Sequence, residues 1–218
     1  MSTDFLLKIL KCGVCMGVFC VLGACGLYAY RLSETDCVTA DFPFYYLTVE
    51  ESGAEACAQM MRLEGGAGYF LDDKVVLAVY FTLYDAQSVR EKVLSEYPDA
   101  SILSCQAGEI YLEGETADTS LAAFGVFYRQ LQELNGLATK LDNGWTQQRA
   151  KKYLDCLRDS MSTLQKTYAQ VKGYTVLCDT AYTCLDEMRD DVLLSREIRY
   201  TVCDLSQVFL LAVKHCTL

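Results

Sequence analysis

The hydrophobic and polar positions change pattern three times along the chain. From Cys12 to Tyr30, nineteen consecutive residues carry no charge, between Lys8 and Lys11 on one side and Arg31 on the other. At about 1.5 Å per residue such a run, if helical, nearly crosses a hydrocarbon core of ~30 Å. Gly13, Gly17, Gly23 and Gly26 would weaken a helix in water but are ordinary in a membrane span. Residues 1–31 therefore read as a cytoplasmic stub and a transmembrane anchor. Lys8 and Lys11 favour a cytoplasmic N-terminus, with the bulk of the chain after residue 31 outside the cytoplasm. A cleaved signal peptide fits poorly, because Leu27-Tyr28-Ala29-Tyr30 is not the polar continuation a cleavage site needs. Leu22-Gly23-Ala24-Cys25 has the form of a bacterial lipobox, which would make Cys25 a lipidated residue instead.

After a linker at residues 32–42, aromatic and β-branched residues cluster in short runs. Phe44-Tyr45-Tyr46-Leu47-Thr48-Val49 reads as a strand. Ser52-Gly53-Ala54-Glu55 opens a short helix with Ala54, Cys57, Ala58 and Met61 on one face, closed by Gly65-Gly66. Residues 67–71 give a second strand, Asp72-Asp73 a tight turn, and Val75 to Phe81 a third strand. A helix beginning near Tyr84 turns Val89, Val93 and Leu94 inward and stops at Pro98; Ser101 to Cys105 supplies the last strand. The order β-α-β-β-α-β is that of a ferredoxin-like sheet with two helices on one face, so residues 43–105 form one α+β unit.

Residues 106–218 lack proline and keep three- and four-residue apolar steps throughout. One helix carries Leu121, Phe124, Phe127, Leu131, Leu134, Ala138 and Leu141, with Asp118 or Thr119 as its cap and Asn143-Gly144 as its end. A second runs from Ala150 to Val171 and ends at Gly173. A third stretch, Leu177 to Cys216, has no glycine or proline to divide it and is one long helix or two. Such stripes bury against one another in a helical bundle, or pair with another chain as a partner-binding or self-association surface.

Charge and chemistry narrow the function. The chain of 218 residues has a net charge of −10 and a pI near 4.6, which removes the cationic footprint that nucleic-acid binding requires. Residues 41–105 alone hold eleven acids against four bases. Twelve cysteines follow no zinc or disulfide spacing; disulfides stay open for the eight outside the anchor, and Cys12-Gly13-Val14-Cys15 lies in the apolar run, where a redox pair lacks its polar setting. His215 is the only histidine and sits three residues from the end, a poor platform for a general base. No P-loop, zincin or dinucleotide fingerprint occurs. A non-enzymatic protein is expected, with no cofactor and no metal.

The runs Phe44 to Val49, Gly65-Gly66-Ala67-Gly68-Tyr69-Phe70 and Lys74 to Tyr80 with Asp85-Ala86 resemble the SPOR domain, the sporulation-related peptidoglycan-binding module, in its Firmicutes form. The resemblance covers residues 43–105. It implies recognition of denuded glycan strands across the open face of the sheet, and a role in cell division or sporulation at the septal or spore-associated envelope. By position in the motif it implies Tyr46, Thr48, Glu51, Lys74 and Ile102 as glycan contacts. Thr48 stands where the family usually has Gln, Glu51 where it has Ser, and Asp72 where an aromatic is expected. Glu50 and Glu51 would repel an anionic glycan, while Lys74 would face the muramic carboxylate. The alternative is a membrane-anchored scaffold whose degenerate sheet binds nothing and whose helices engage a protein partner.

Overall fold

The computed structural model describes residues 37–39, 41–49, 54–107, 109–111, 116–188 and 192–216. The expected anchor at 12–30 and Cys25 lie outside the described residues; among those described, no helix is long and apolar enough to cross a membrane. In chain order the elements are β1 (Cys37–Thr39), β2 (Phe44–Val49), α1 (Ala54–Leu63), β3 (Tyr69–Leu71), β4 (Lys74–Tyr80), α2 (Leu83–Val93), β5 (Ser101–Cys105), β6 (Glu109–Tyr111), α3 (Thr116–Asp142), α4 (Gln147–Thr167), α5 (Tyr174–Glu187) and α6 (Ser195–Cys216).

The protein is α+β. Four strands form an antiparallel sheet in the order β3-β4-β2-β5. β1 and β6 pair separately as a two-stranded antiparallel ribbon, Val38 opposite Ile110, which the sequence pattern does not announce. Three-residue strands are too short for alternation to register. The α1–β3 connection turns where expected. The Gly66 N–H donates to the Met61 carbonyl at 2.8 Å and Gly65 takes φ +94°, so the C-terminal cap of α1 needs a residue without a β-carbon. Asp72 takes φ 52° in the β3–β4 hairpin, the left-handed conformation that Asp tolerates better than most residues. Thr82 caps α2, its hydroxyl accepting from the Asp85 N–H at 3.1 Å.

The bundle departs from expectation at its boundaries. α3 begins at Thr116, so Asp118 lies in its first turn rather than at its cap. The undecided stretch after Leu177 is two helices, α5 and α6. Residues 192–194 precede α6 in non-helical conformation, and Gln147 grips them: its amide donates to the Leu193 carbonyl and its carbonyl accepts from the Leu193 N–H, both at 2.9 Å.

Both faces of the sheet are covered. Leu47, Val49 and Val75 pack with Cys57, Ala58 and Met61 of α1, and partly buried Val89 and Val93 of α2 join them. On the other face Phe44, Tyr46, Val76 and Val79 belong to one continuous core with Phe124, Phe127, Leu131, Leu177, Val202 and Phe209 of the bundle. A register shift opposite Leu47/Thr48 leaves Leu77 of β4 unmatched, and both Val76 and Val79 thereby reach the bundle side. The bundle thus supplies the second layer of the sheet.

Candidate functional site

Tyr46 is fully buried against α6. Its hydroxyl lies 2.7 Å from Ser206 Oγ and accepts from Gln207 Nε2 at 2.8 Å; Ser206 Oγ in turn donates to the Cys203 carbonyl at 2.6 Å. Burial, the largest influence, pushes the Tyr46 phenol well above its ordinary pKa, so it stays a neutral hydrogen-bonding group. Thr48 is equally buried and its hydroxyl pairs with Ser101 on β5, 3.0 Å from Ser101 Oγ. Neither side chain meets solvent.

The other expected glycan contacts are not gathered around these two. Ile102 sits opposite Leu47 in register and packs in the α1/α2 core, on the reverse face of the sheet from Tyr46. Lys74 opens β4 opposite Leu71, half-buried at the hairpin. Glu50 and Glu51 fall outside the described residues. The sheet therefore brings Tyr46 and Thr48 to one face, sends Ile102 to the other, and closes both faces with helices.

The closure is latched by polar contacts as well as by apolar packing. Tyr128 of α3 donates to the Pro43 carbonyl at 2.6 Å, and Asn135 donates to the Val79 carbonyl at 3.4 Å. Arg199 of α6 donates to the Gly65 carbonyl at 2.5 Å and pairs with Asp142 at the end of α3. Beside it Arg62 of α1 lies 4.2 Å from the Tyr200 ring centre, Tyr69 meets the Tyr200 ring edge-on, and the Tyr69 hydroxyl donates to Asp204 at 3.3 Å. Burial first, then the Asp204 carboxylate, pushes the Tyr69 phenol up to about 12. Replacing Tyr46 with Phe removes the centre of one latch, leaving the Gln207 amide without its acceptor. The expected cost is about 1 kcal/mol, read as a shift of the urea midpoint with the fold retained.

Clefts open on the described surface. One, of about 480 Å³, lies between α2 and α3 and is lined by polar groups including Thr82, Ser88, Gln132 and Asn135. Another, of about 400 Å³, lies where α5 ends and α6 begins. Met188, Leu193 and Tyr200 line it together with the carboxylates of Glu187, Glu197 and Asp204, and Cys184 opens onto it. Val192 and Leu194, 66% and 38% exposed, flank the buried Leu193. The apolar spacing of the stretch from Leu177 would carry Val192 inward with Leu185 and Met188, whereas here Met188 still packs against the core and Val192 turns outward. The signal available was the tract Asp186 to Asp191, five charges in six positions, which marks a break between helices.

Among the described residues no group of three or more His, Cys, Asp or Glu side chains converges as a metal site. No disulfide joins Cys57, Cys105, Cys156, Cys178, Cys184, Cys203 and Cys216 among the described residues, and burial raises the thiols of Cys178 and Cys184 above their ordinary pKa. Comparison of the chain with protein-family models, with curated proteins and with solved structures finds no match.

Proposed function

We propose that the chain is a membrane-anchored, extracytoplasmic, non-enzymatic scaffold in which a ferredoxin-like sheet is closed by its own helical bundle and a protein partner is engaged by the helices. The supporting observation is the position of Tyr46: fully buried, with its hydroxyl shared between Ser206 and Gln207 of α6. A ligand on that face would have to displace α6, and with it the apolar contacts of Phe44, Val76 and Val79. At about 25 cal/mol per Å² of apolar surface, exposing several such side chains costs many kcal/mol, more than a weakly held glycan strand returns. The strand order β3-β4-β2-β5 supports the ferredoxin-like reading, since the two parallel pairs β2/β3 and β4/β5 each bracket one antiparallel strand.

The test is sedimentation of the full chain, held in lipid nanodiscs, with amidase-treated sacculi. The chain is expected to remain in the supernatant at every sacculus concentration while a bona fide glycan-strand binder pellets. Saturable pelleting would restore peptidoglycan recognition as the function and move its site away from Tyr46 and Thr48.

A further inference from the structure

The α5–α6 cleft combines three properties. It presents adjacent exposed apolar side chains, Val192 and Leu194, beside a concave floor of Met188, Leu193 and Tyr200. Among the described residues its lining holds three carboxylates and no cation. Its shape is preset, because Gln147 holds the Leu193 peptide from both sides. Two described bases nearby are already engaged, Arg196 with Glu197 at 3.4 Å, and Arg62 on the Tyr200 ring and the Ala67 carbonyl. Asp204 accepts from Tyr69, whereas Glu187 and Glu197 stand exposed at the rim where a ligand arriving from solvent meets them, Glu197 sharing its charge with Arg196.

We propose that this cleft docks a basic amphipathic segment of a partner protein, with an apolar side chain seated on Met188, Leu193 and Tyr200 and Lys or Arg side chains against Glu187 and Glu197. The inference rests on the scaffold reading and gives it a partner chemistry. Charge complementarity selects the occupant. A second copy of a chain with net charge −10 brings a predominantly acidic surface, and an anionic lipid surface would likewise be repelled. A wholly polar cationic segment would leave Val192 and Leu194 uncovered, so the partner must be amphipathic.

Cys184 opens onto the cleft and Cys156, exposed on α4, lies outside it, so the two thiols form a built-in footprint. The full chain in zwitterionic nanodiscs is alkylated in the presence of a short amphipathic Leu/Lys peptide, and the rate at each cysteine is read by mass spectrometry. Docking slows Cys184 by the factor 1 + [L]/Kd, about tenfold at a peptide concentration about ten times Kd, and leaves Cys156 unchanged. The matching Leu/Glu peptide gives no protection, and Glu187→Gln/Glu197→Gln, both at exposed positions, lowers the protection severalfold. Equal protection by the two peptides, equal slowing of both cysteines, or no slowing of Cys184 overturns the proposal. None of these outcomes moves the sacculus assay, so failure of the docking site and failure of the scaffold reading are told apart.

Discussion

Phe209→Ala will cost about 3–5 kcal/mol, the range for emptying a fully buried aromatic site, out of a total stability of ~5–15 kcal/mol. The ring is completely buried and lies within 5.4–6.0 Å, centre to centre, of Phe42, Phe44, Phe124, Phe127 and Tyr128. Three of those contacts belong to α3 and two to the strand β2 and its lead-in, so one side chain on α6 ties the sheet to the bundle. The loss should appear as a shift of a single urea transition, seen alike by helical circular dichroism and by hydrogen exchange of β2 peptides. Two separated transitions in the wild type would mean that sheet and bundle fold independently. Phe209→Leu, which keeps most of the volume, should cost no more than about 1.5 kcal/mol.

Gly68→Ala is the second large effect, and its backbone setting makes it larger than an ordinary glycine substitution. Gly68 has φ +56°, which by itself costs an L-residue roughly 1–2 kcal/mol. A β-carbon there would also overlap the Ala58 carbonyl oxygen of α1 and stand 2.7 Å from Arg62 Cγ. The backbone of α1 must shift to admit it, and Arg62 carries both the Tyr200 contact and the hydrogen bond to Ala67. Overpacking of this kind adds ~1–3 kcal/mol. Gly144→Ala is the internal control: its φ is +87° but a β-carbon meets nothing within 4 Å, so only the conformational cost of about 1 kcal/mol applies. Thermal melts of the two variants side by side check the difference, and equal melting temperatures would refute the steric argument.

The strands and helices were legible because each carries its own periodicity. β2 and β5 begin and end where residue type places them, at Phe44–Val49 and Ser101–Cys105. The covering of the second sheet face was also written in the chain. Phe44 to Val49 and Lys74 to Tyr80 are nearly continuous apolar runs, whereas a strand with one wet face alternates. Placing Tyr46 and Thr48 on an open face leaves out that Thr48 is the one residue of β2 that is neither apolar nor aromatic. Tyr and Thr supply hydroxyls to a buried network as readily as to a ligand, and the difference lies in what packs opposite. Here the opposing residues, Ser206 and Gln207, stand 160 and 161 positions away inside an apolar helix, where the sequence marks them only as interruptions between Leu205 and Phe209.

That separation also bears on how the protein is made. The hydroxyl of Tyr46 waits for a residue 160 positions downstream, and the aromatic wall on β2 is completed by α6. During synthesis the sheet can assemble once Cys105 has emerged, but the cover of its Phe44–Tyr46–Val76–Val79 face stays incomplete until α6 leaves the ribosome. At about 5–20 residues per second that interval lasts several seconds, and long-range closure of this kind is the slow step in folding. The nascent chain therefore presents a sticky half-finished layer for longer than its size alone would suggest, which makes it a natural client for a chaperone that holds apolar surface.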